Sequence, residues 1–183
     1  MNLPNKLTVL RIIMIPFFIA AFYLSESYSW IVTSILFFAA YTTDYLDGWL
    51  ARRWNQVTVF GKFMDPIADK LLTISALVML LWQGTISPFI PILVIGREFI
   101  VSGIRLVVAS EGTVIAASWL GKAKTMSQFI AIQLALLAPV MAELLGGWIS
   151  MLVSILLWIS TILALWSGWD YVKQHRSFIS QTK

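Results

Sequence analysis

Six apolar stretches follow one another along the chain, at 7–24, 30–50, 60–82, 86–108, 125–144 and 148–171. Roughly 20 residues of α-helix cross the ~30 Å of hydrocarbon in a bilayer, and a helix satisfies its own backbone there. The pattern therefore predicts an all-α, integral membrane bundle of six transmembrane helices. Ser25-Glu26-Ser27, Gln83-Gly84-Thr85 and Leu145-Gly146-Gly147 read as tight turns on one side of the membrane. Arg52-Arg53-Trp54-Asn55 and a longer connection at 111–124 are polar and basic, and fall on the other. The first group of loops carries no Lys or Arg. The second group and the termini carry Lys6, Arg52, Arg53, Lys122, Lys124, Lys173, Arg176 and Lys183. Basic residues are retained in the cytoplasm, so both termini are expected there, with Trp30, Trp82 and Trp148 anchoring span ends at the interface.

Composition fits this reading. Of 183 residues, 59% are hydrophobic and 12% charged, against about 25% charged in soluble domains. One membrane domain over 1–183 is expected. The apolar run at the N-terminus is long, is interrupted by Arg11 and precedes five more, so it reads as a retained span rather than a cleaved signal. With no cysteine, disulfides, thiol catalysis and iron–sulfur ligation are excluded. The net charge of +4 is accounted for by loops that orient the spans. No basic stripe or nucleic-acid motif accompanies it, and no nucleic-acid partner is expected.

Polar interruptions of the apolar runs carry the functional information. Arg11 lies early in the first span, Asp44 and Asp47 late in the second, Asp65 and Asp69 early in the third, and Arg97, Glu98 and Arg105 late in the fourth. On the alternating topology all of them fall in the cytoplasmic half. Ionisable groups inside a membrane face the bundle interior or a wet cavity, so the sequence predicts an active-site chamber open to the cytoplasm. A conduit would distribute polar groups through the full depth, and no internal repeat of the transporter kind is evident.

The four aspartates form the pattern DxxDGxxAR, eight residues, then GxxxDxxxD. Unpartnered in hydrocarbon, each would cost roughly 2.5–3.5 kcal/mol, so cations must sit among them. Carboxylate oxygens suit Mg²⁺ or Mn²⁺, and two such ions would balance four charges while leaving a site able to hold a diphosphate. Asp44, Asp47, Gly48 and Ala51 share one helical face, and Asp65 and Asp69 are one turn apart, so the pairs can face each other across a helix hairpin. Gly48, Ala51 and Gly61 allow close approach, and Arg52 is placed to contact phosphate. Pro66 favours a third helix that begins shortly before Asp65. Asn5, Thr8 and Arg11 either line the nucleotide or pyrophosphate pocket or cap and snorkel at the interface. A lone membrane aspartate is often only a hydrogen-bonding group between spans; packing has no use for four on two adjacent faces.

The array Asp44, Asp47, Gly48, Ala51, Arg52, Gly61, Asp65 and Asp69 resembles the signature of the CDP-alcohol phosphatidyltransferases, integral membrane enzymes that join a CDP-linked lipid to an alcohol and release CMP. The resemblance implies a homodimer of six-span chains in the bacterial plasma membrane. Asp44, Asp47, Asp65 and Asp69 would surround two Mg²⁺ or Mn²⁺ ions, and Asp69 would also be the general base. Beyond the signature, the segments NLPNKLTVLR, GKFMDPIADKLL, GREFIVSGIR and VIAASWLGKAKTMSQ resemble the branch of the family that uses CDP-diacylglycerol and glycerol 3-phosphate. An acceptor bearing a phosphate needs further cations, for which Arg105 and Lys124, then Arg97 and Lys122, are the candidates. Their competing roles are topological for Lys122 and Lys124 and a structural bridge to Glu98 for Arg97 or Arg105. Two rival functions stand beside this one: the same chemistry with another alcohol, and a divalent-metal transporter using the same aspartates.

Overall fold

Capping residues set where the helices begin. The Asn2 side chain accepts from the Asn5 amide at 3.2 Å, and Pro4, lacking an N–H, costs nothing in a first turn. Helix α1 then runs Leu3–Ala21. The computed structural model describes residues 2–24, 26–54, 58–110 and 119–176, and the remaining helices are α2 (Glu26–Arg53), α3 (Val59–Trp82), α4 (Phe89–Ser110), α5 (Trp119–Leu145) and α6 (Trp148–Gln174). Six helices are present where six were expected. Ser25 of the first predicted turn, Asn55 of the first basic loop, residues 111–118 and Lys183 lie outside the described residues.

Two boundaries differ from expectation for identifiable reasons. Helix α3 starts six residues before Asp65, because Thr58 caps it: its hydroxyl accepts from the Gly61 amide at 3.0 Å. Pro66 therefore sits inside the helix rather than at its start. Helix α5 begins at Trp119, which places Lys122 and Lys124 on its first turns and not in the preceding loop. The predicted turns at Gly84 and Gly146 are present, with φ of 71° and 92°. At Gly84 the chain closes α3 by Thr85 N–H bonding Leu80 O and Gly84 N–H bonding Leu81 O, a helix stop that glycine enters without a Cβ clash.

Helices α1, α5 and α6 are long and apolar enough to cross a membrane; Asp44, Asp47, Asp65, Asp69, Arg97, Glu98 and Arg105 lie on the other three. Helix α1 packs on α2 and α3, α5 on α2 and α6, and α4 on α3 and α6. Their shared interior holds Phe18, Phe37, Leu72, Leu77, Ile132 and Leu136, all almost fully buried. Phe129 stacks on Phe37 and, with ring centroids 3.8 Å apart, on Tyr41. Large apolar side chains such as Phe17, Ile35, Leu106, Met151 and Trp166 face outward. A helix bundle apolar both inside and outside is what a lipid solvent requires; the chain is a multi-pass membrane protein.

Candidate active site

Three helix ends meet where the aspartates lie. Thr58, while capping α3, also donates its hydroxyl to Asn5 Oδ1 at 2.8 Å, which fastens the start of α3 to the start of α1. Gly61 fits between them: a Cβ there would stand 3.3 Å from both Asn5 Oδ1 and Thr58 Oγ1 and 3.5 Å from Asp65 Oδ2. One turn along α1, the buried Thr8 hydroxyl lies 2.7 Å from Asp65 Oδ1, to which it donates, and 3.4 Å from Asp47 Oδ2. Another turn on, Arg11 is fully buried and reaches α2. Its Nη1 is 2.7 Å from Asp44 Oδ1, an ion contact without hydrogen-bond alignment, and its Nη2 bonds Asp47 Oδ2. Arg11 Nε has no acceptor.

Helix α1 thus mediates the meeting of the two aspartate pairs, which sequence spacing had assigned to the α2–α3 hairpin alone. Complete burial of Arg11 rules out snorkelling for this residue. Asp69, one turn beyond Asp65, is within electrostatic reach of Asp44, Lys124, Arg11 and Glu98. All four aspartates therefore occupy one charged layer. Gly48 and Ala51 are half-buried on α2, and the Arg52 side chain lies outside the described residues. Among the described residues no three carboxylates stand close enough together to form a ready metal cage; Arg11 and Thr8 hold Asp44, Asp47 and Asp65. The donor chemistry nevertheless fits a hard divalent ion, being all oxygen, and the unpaired Nε of Arg11 marks a guanidinium not completely matched to its place.

Beyond Asp69 a polar cavity opens between α2, α3, α4 and α5, lined by Tyr41, Asp69, Lys70, Glu98, Lys124 and Gln128 among others. Glu98 bonds Lys124 Nζ and, at 2.8 Å, Arg97 Nη1. Lys70 bonds the Ser102 hydroxyl, which donates at 2.6 Å to the Glu98 carbonyl. Lys124 is buried on the cavity wall that it shares with Asp69. The other three acceptor candidates are placed differently. Arg97 turns to α6, where Nε donates to Ala164 O at 3.2 Å and Nη2 to Ser167 Oγ at 2.6 Å. Its Cγ lies where a Cβ on Gly168 would come within 2.8 Å. Arg105 is exposed, its guanidinium 5.9 Å from the Tyr171 ring centroid, and Lys122 is exposed. Glu98 bridges Arg97, one of the two alternatives left open by sequence, and adds Lys124.

Sequence reasoning passed over Thr58, Lys70, Ser102 and Gln128. Thr58 had a signal, a threonine three residues before a helical Gly61. So did Lys70, a cation directly after Asp69 in an apolar run. Ser102 and Gln128 had only their place in the segments GREFIVSGIR and VIAASWLGKAKTMSQ, since a single serine or glutamine in a span is as readily a packing residue.

A sequence model of the family described as CDP-alcohol phosphatidyltransferase matches residues 1–166. The chain is 39% identical to the CDP-diacylglycerol–glycerol-3-phosphate 3-phosphatidyltransferase of Bacillus subtilis, covering 95% of each protein. It is 42% identical to the enzyme of the same name from Haemophilus influenzae, over 94% of this chain and 92% of that one. It is 37% identical to the Escherichia coli enzyme of that name, over 96% of each. These matches span the aspartate layer and the cavity beside it together, and the chain belongs to the CDP-alcohol phosphatidyltransferase family.

Proposed function

We propose that this chain transfers the phosphatidyl group of CDP-diacylglycerol to glycerol 3-phosphate, forming phosphatidylglycerophosphate and CMP. The observation that carries the reading is the juxtaposition of an acidic layer and a cavity in which Lys70 and Lys124 stand beside Glu98, joined at Asp69. The reaction needs both: one side for an activated diphosphate, the other for an anionic acceptor. Relatives similar over almost the whole chain bear the name of this activity.

Asp44, Asp47, Asp65 and Asp69 would hold two Mg²⁺ or Mn²⁺ ions, whose chemistry is to neutralise the diphosphate and acidify an incoming hydroxyl. Asn5, Thr8, Gly48, Ala51, Arg52 and Gly61 would line the CDP side, the small residues admitting the nucleotide close to the backbone. Asp69 takes the proton of the acceptor hydroxyl. That oxygen forms a bond to the lipid-side phosphorus as the bond from the phosphorus to the bridging oxygen breaks, and CMP departs with the electron pair. Alignment of donor and acceptor supplies much of the rate. Lys124 and Arg105, with Arg97 and Lys122, balance the acceptor phosphate. Since Arg97 is already tied to α6, its contribution is a field and a brace for Glu98 rather than a direct contact.

In this reading all six helices cross the bilayer, the termini and the chamber face the cytoplasm of a bacterial cell, and the acyl chains stay in lipid by passing between helices. A homodimer is the proposed assembly. The deciding measurement is CMP release from CDP-diacylglycerol in mixed micelles with Mn²⁺, with and without glycerol 3-phosphate, against a panel of other alcohols. Release dependent on glycerol 3-phosphate is expected. Release with serine or inositol phosphate instead would reassign the acceptor, and metal uptake into vesicles without CMP release would make the protein a transporter.

Arg105→Gln is expected to raise the KM for glycerol 3-phosphate about tenfold or more, with far less effect on the KM for CDP-diacylglycerol. Initial rates with each substrate varied in turn check this. Equal effects on both would make Arg105 a structural residue of the α4–α6 contact.

A further inference from the structure

Gln128 is 3% exposed and lines the polar cavity beside Asp69, yet its side-chain nitrogen has no hydrogen-bond partner. A buried amide donor left unpaired is costly, and an apolar residue would serve packing better. It lies one helical turn from Lys124 on the same face of α5. Three of the charged groups on the wall have partners: Glu98 takes Lys124 and Arg97, and Lys70 takes Ser102. Free space in the cavity is about 20 Å³. Roughly 10–15 Å³ suffices for one water-sized group, so the space admits a single hydroxyl and not a whole polyol phosphate.

We infer that Gln128 is a specificity-determining residue whose amide donates to the non-reacting, secondary hydroxyl of the acceptor. This rests on the reading above, in which the acceptor is glycerol 3-phosphate and its primary hydroxyl is attacked at Asp69. The secondary hydroxyl enters the cavity beside Gln128, the primary hydroxyl remains at Asp69 on its wall, and the phosphate stays outside with the exposed Arg105 and Lys122, Lys124 acting on it through its charge from the wall. An acceptor without a hydroxyl at that carbon leaves the amide unpaired, and one with a bulkier substituent does not fit.

The test compares glycerol 3-phosphate with 3-hydroxypropyl phosphate, which keeps the phosphate and primary hydroxyl and lacks the secondary one. In the unsubstituted protein, kcat/KM is expected to favour glycerol 3-phosphate roughly 10- to 100-fold. In Gln128→Met, of similar length and without the donor, the two acceptors should come within about threefold of each other, chiefly through loss of rate with glycerol 3-phosphate. Removing an unpaired amide should not lower the melting temperature. An unchanged preference in Gln128→Met, no preference in the unsubstituted protein, or a destabilised Gln128→Met would each overturn the inference, the last because it would reveal a structural partner for the amide. Failure of the unsubstituted protein to use glycerol 3-phosphate at all would instead overturn the proposed function.

Discussion

Asp69→Asn is expected to lower the rate of CMP release by about 10³-fold or more while leaving binding of CDP-diacylglycerol far less affected. The substitution preserves size and removes both the charge and the capacity to accept a proton. General base catalysis alone contributes roughly 10²–10⁴, and loss of a carboxylate from the metal side adds to this. Placement makes Asp69 the selective position among the four. Asp44, Asp47 and Asp65 are engaged by Arg11 or Thr8, whereas Asp69 faces the cavity with Lys70, Glu98 and Lys124. Turnover and retention of a labelled CDP-lipid by the purified protein separate the two effects. Near-normal turnover would take the base role from Asp69, and complete loss of lipid binding would make its role one of assembly.

Arg11→Met should destabilise the protein by about 3–5 kcal/mol when divalent ions are chelated, the range for removing one partner of a buried ion pair. Arg11 is fully buried and Asp47 is 3% exposed, so neither charge can be rescreened by water. Part of the loss should return on adding Mn²⁺, since cations among the carboxylates would take over their neutralisation. The double substitution Arg11→Met with Asp47→Asn should cost less than the sum of its parts, as expected of coupled sites. Denaturation in detergent, with chelator and with Mn²⁺, measures all three. A change below about 0.5 kcal/mol for Arg11→Met, typical of a surface site, would show that the guanidinium does not hold the layer together.

Legibility in the sequence follows from how locally each feature is encoded. Helix number was readable because apolar runs and turn glycines such as Gly84 and Gly146 act over a few residues. The aspartate array was readable because carboxylates in apolar runs cannot be incidental. Helix starts were less so: Thr58 caps α3 ahead of Pro66, and α5 extends six residues into a polar stretch that resembled a loop. The pairing of charges was hidden altogether. Arg97 is committed to α6 by contacts with Ala164, Ser167 and the bare surface of Gly168. Glu98 finds Lys124 across 26 residues of chain. Such choices depend on which faces oppose each other after packing, and periodicity within one helix carries no record of its neighbour. Arg11 was open between two roles for the same reason, and its burial against Asp44 and Asp47 of α2 removes the snorkelling one.

The link from Arg11 to Asp47 spans 36 positions in the chain, and this bears on how the protein is made. Helix α1 leaves the ribosome with its guanidinium unmatched, and α2 with its carboxylates likewise. Helix α1 is apolar enough to cross a membrane even so, whereas α2 with its carboxylates is not among the helices of that kind, and the pair is mutually neutralised. Biogenesis should therefore favour joint release of α1 and α2 from the insertion machinery as a hairpin, making the contact that later shapes the reaction centre an early checkpoint of membrane integration.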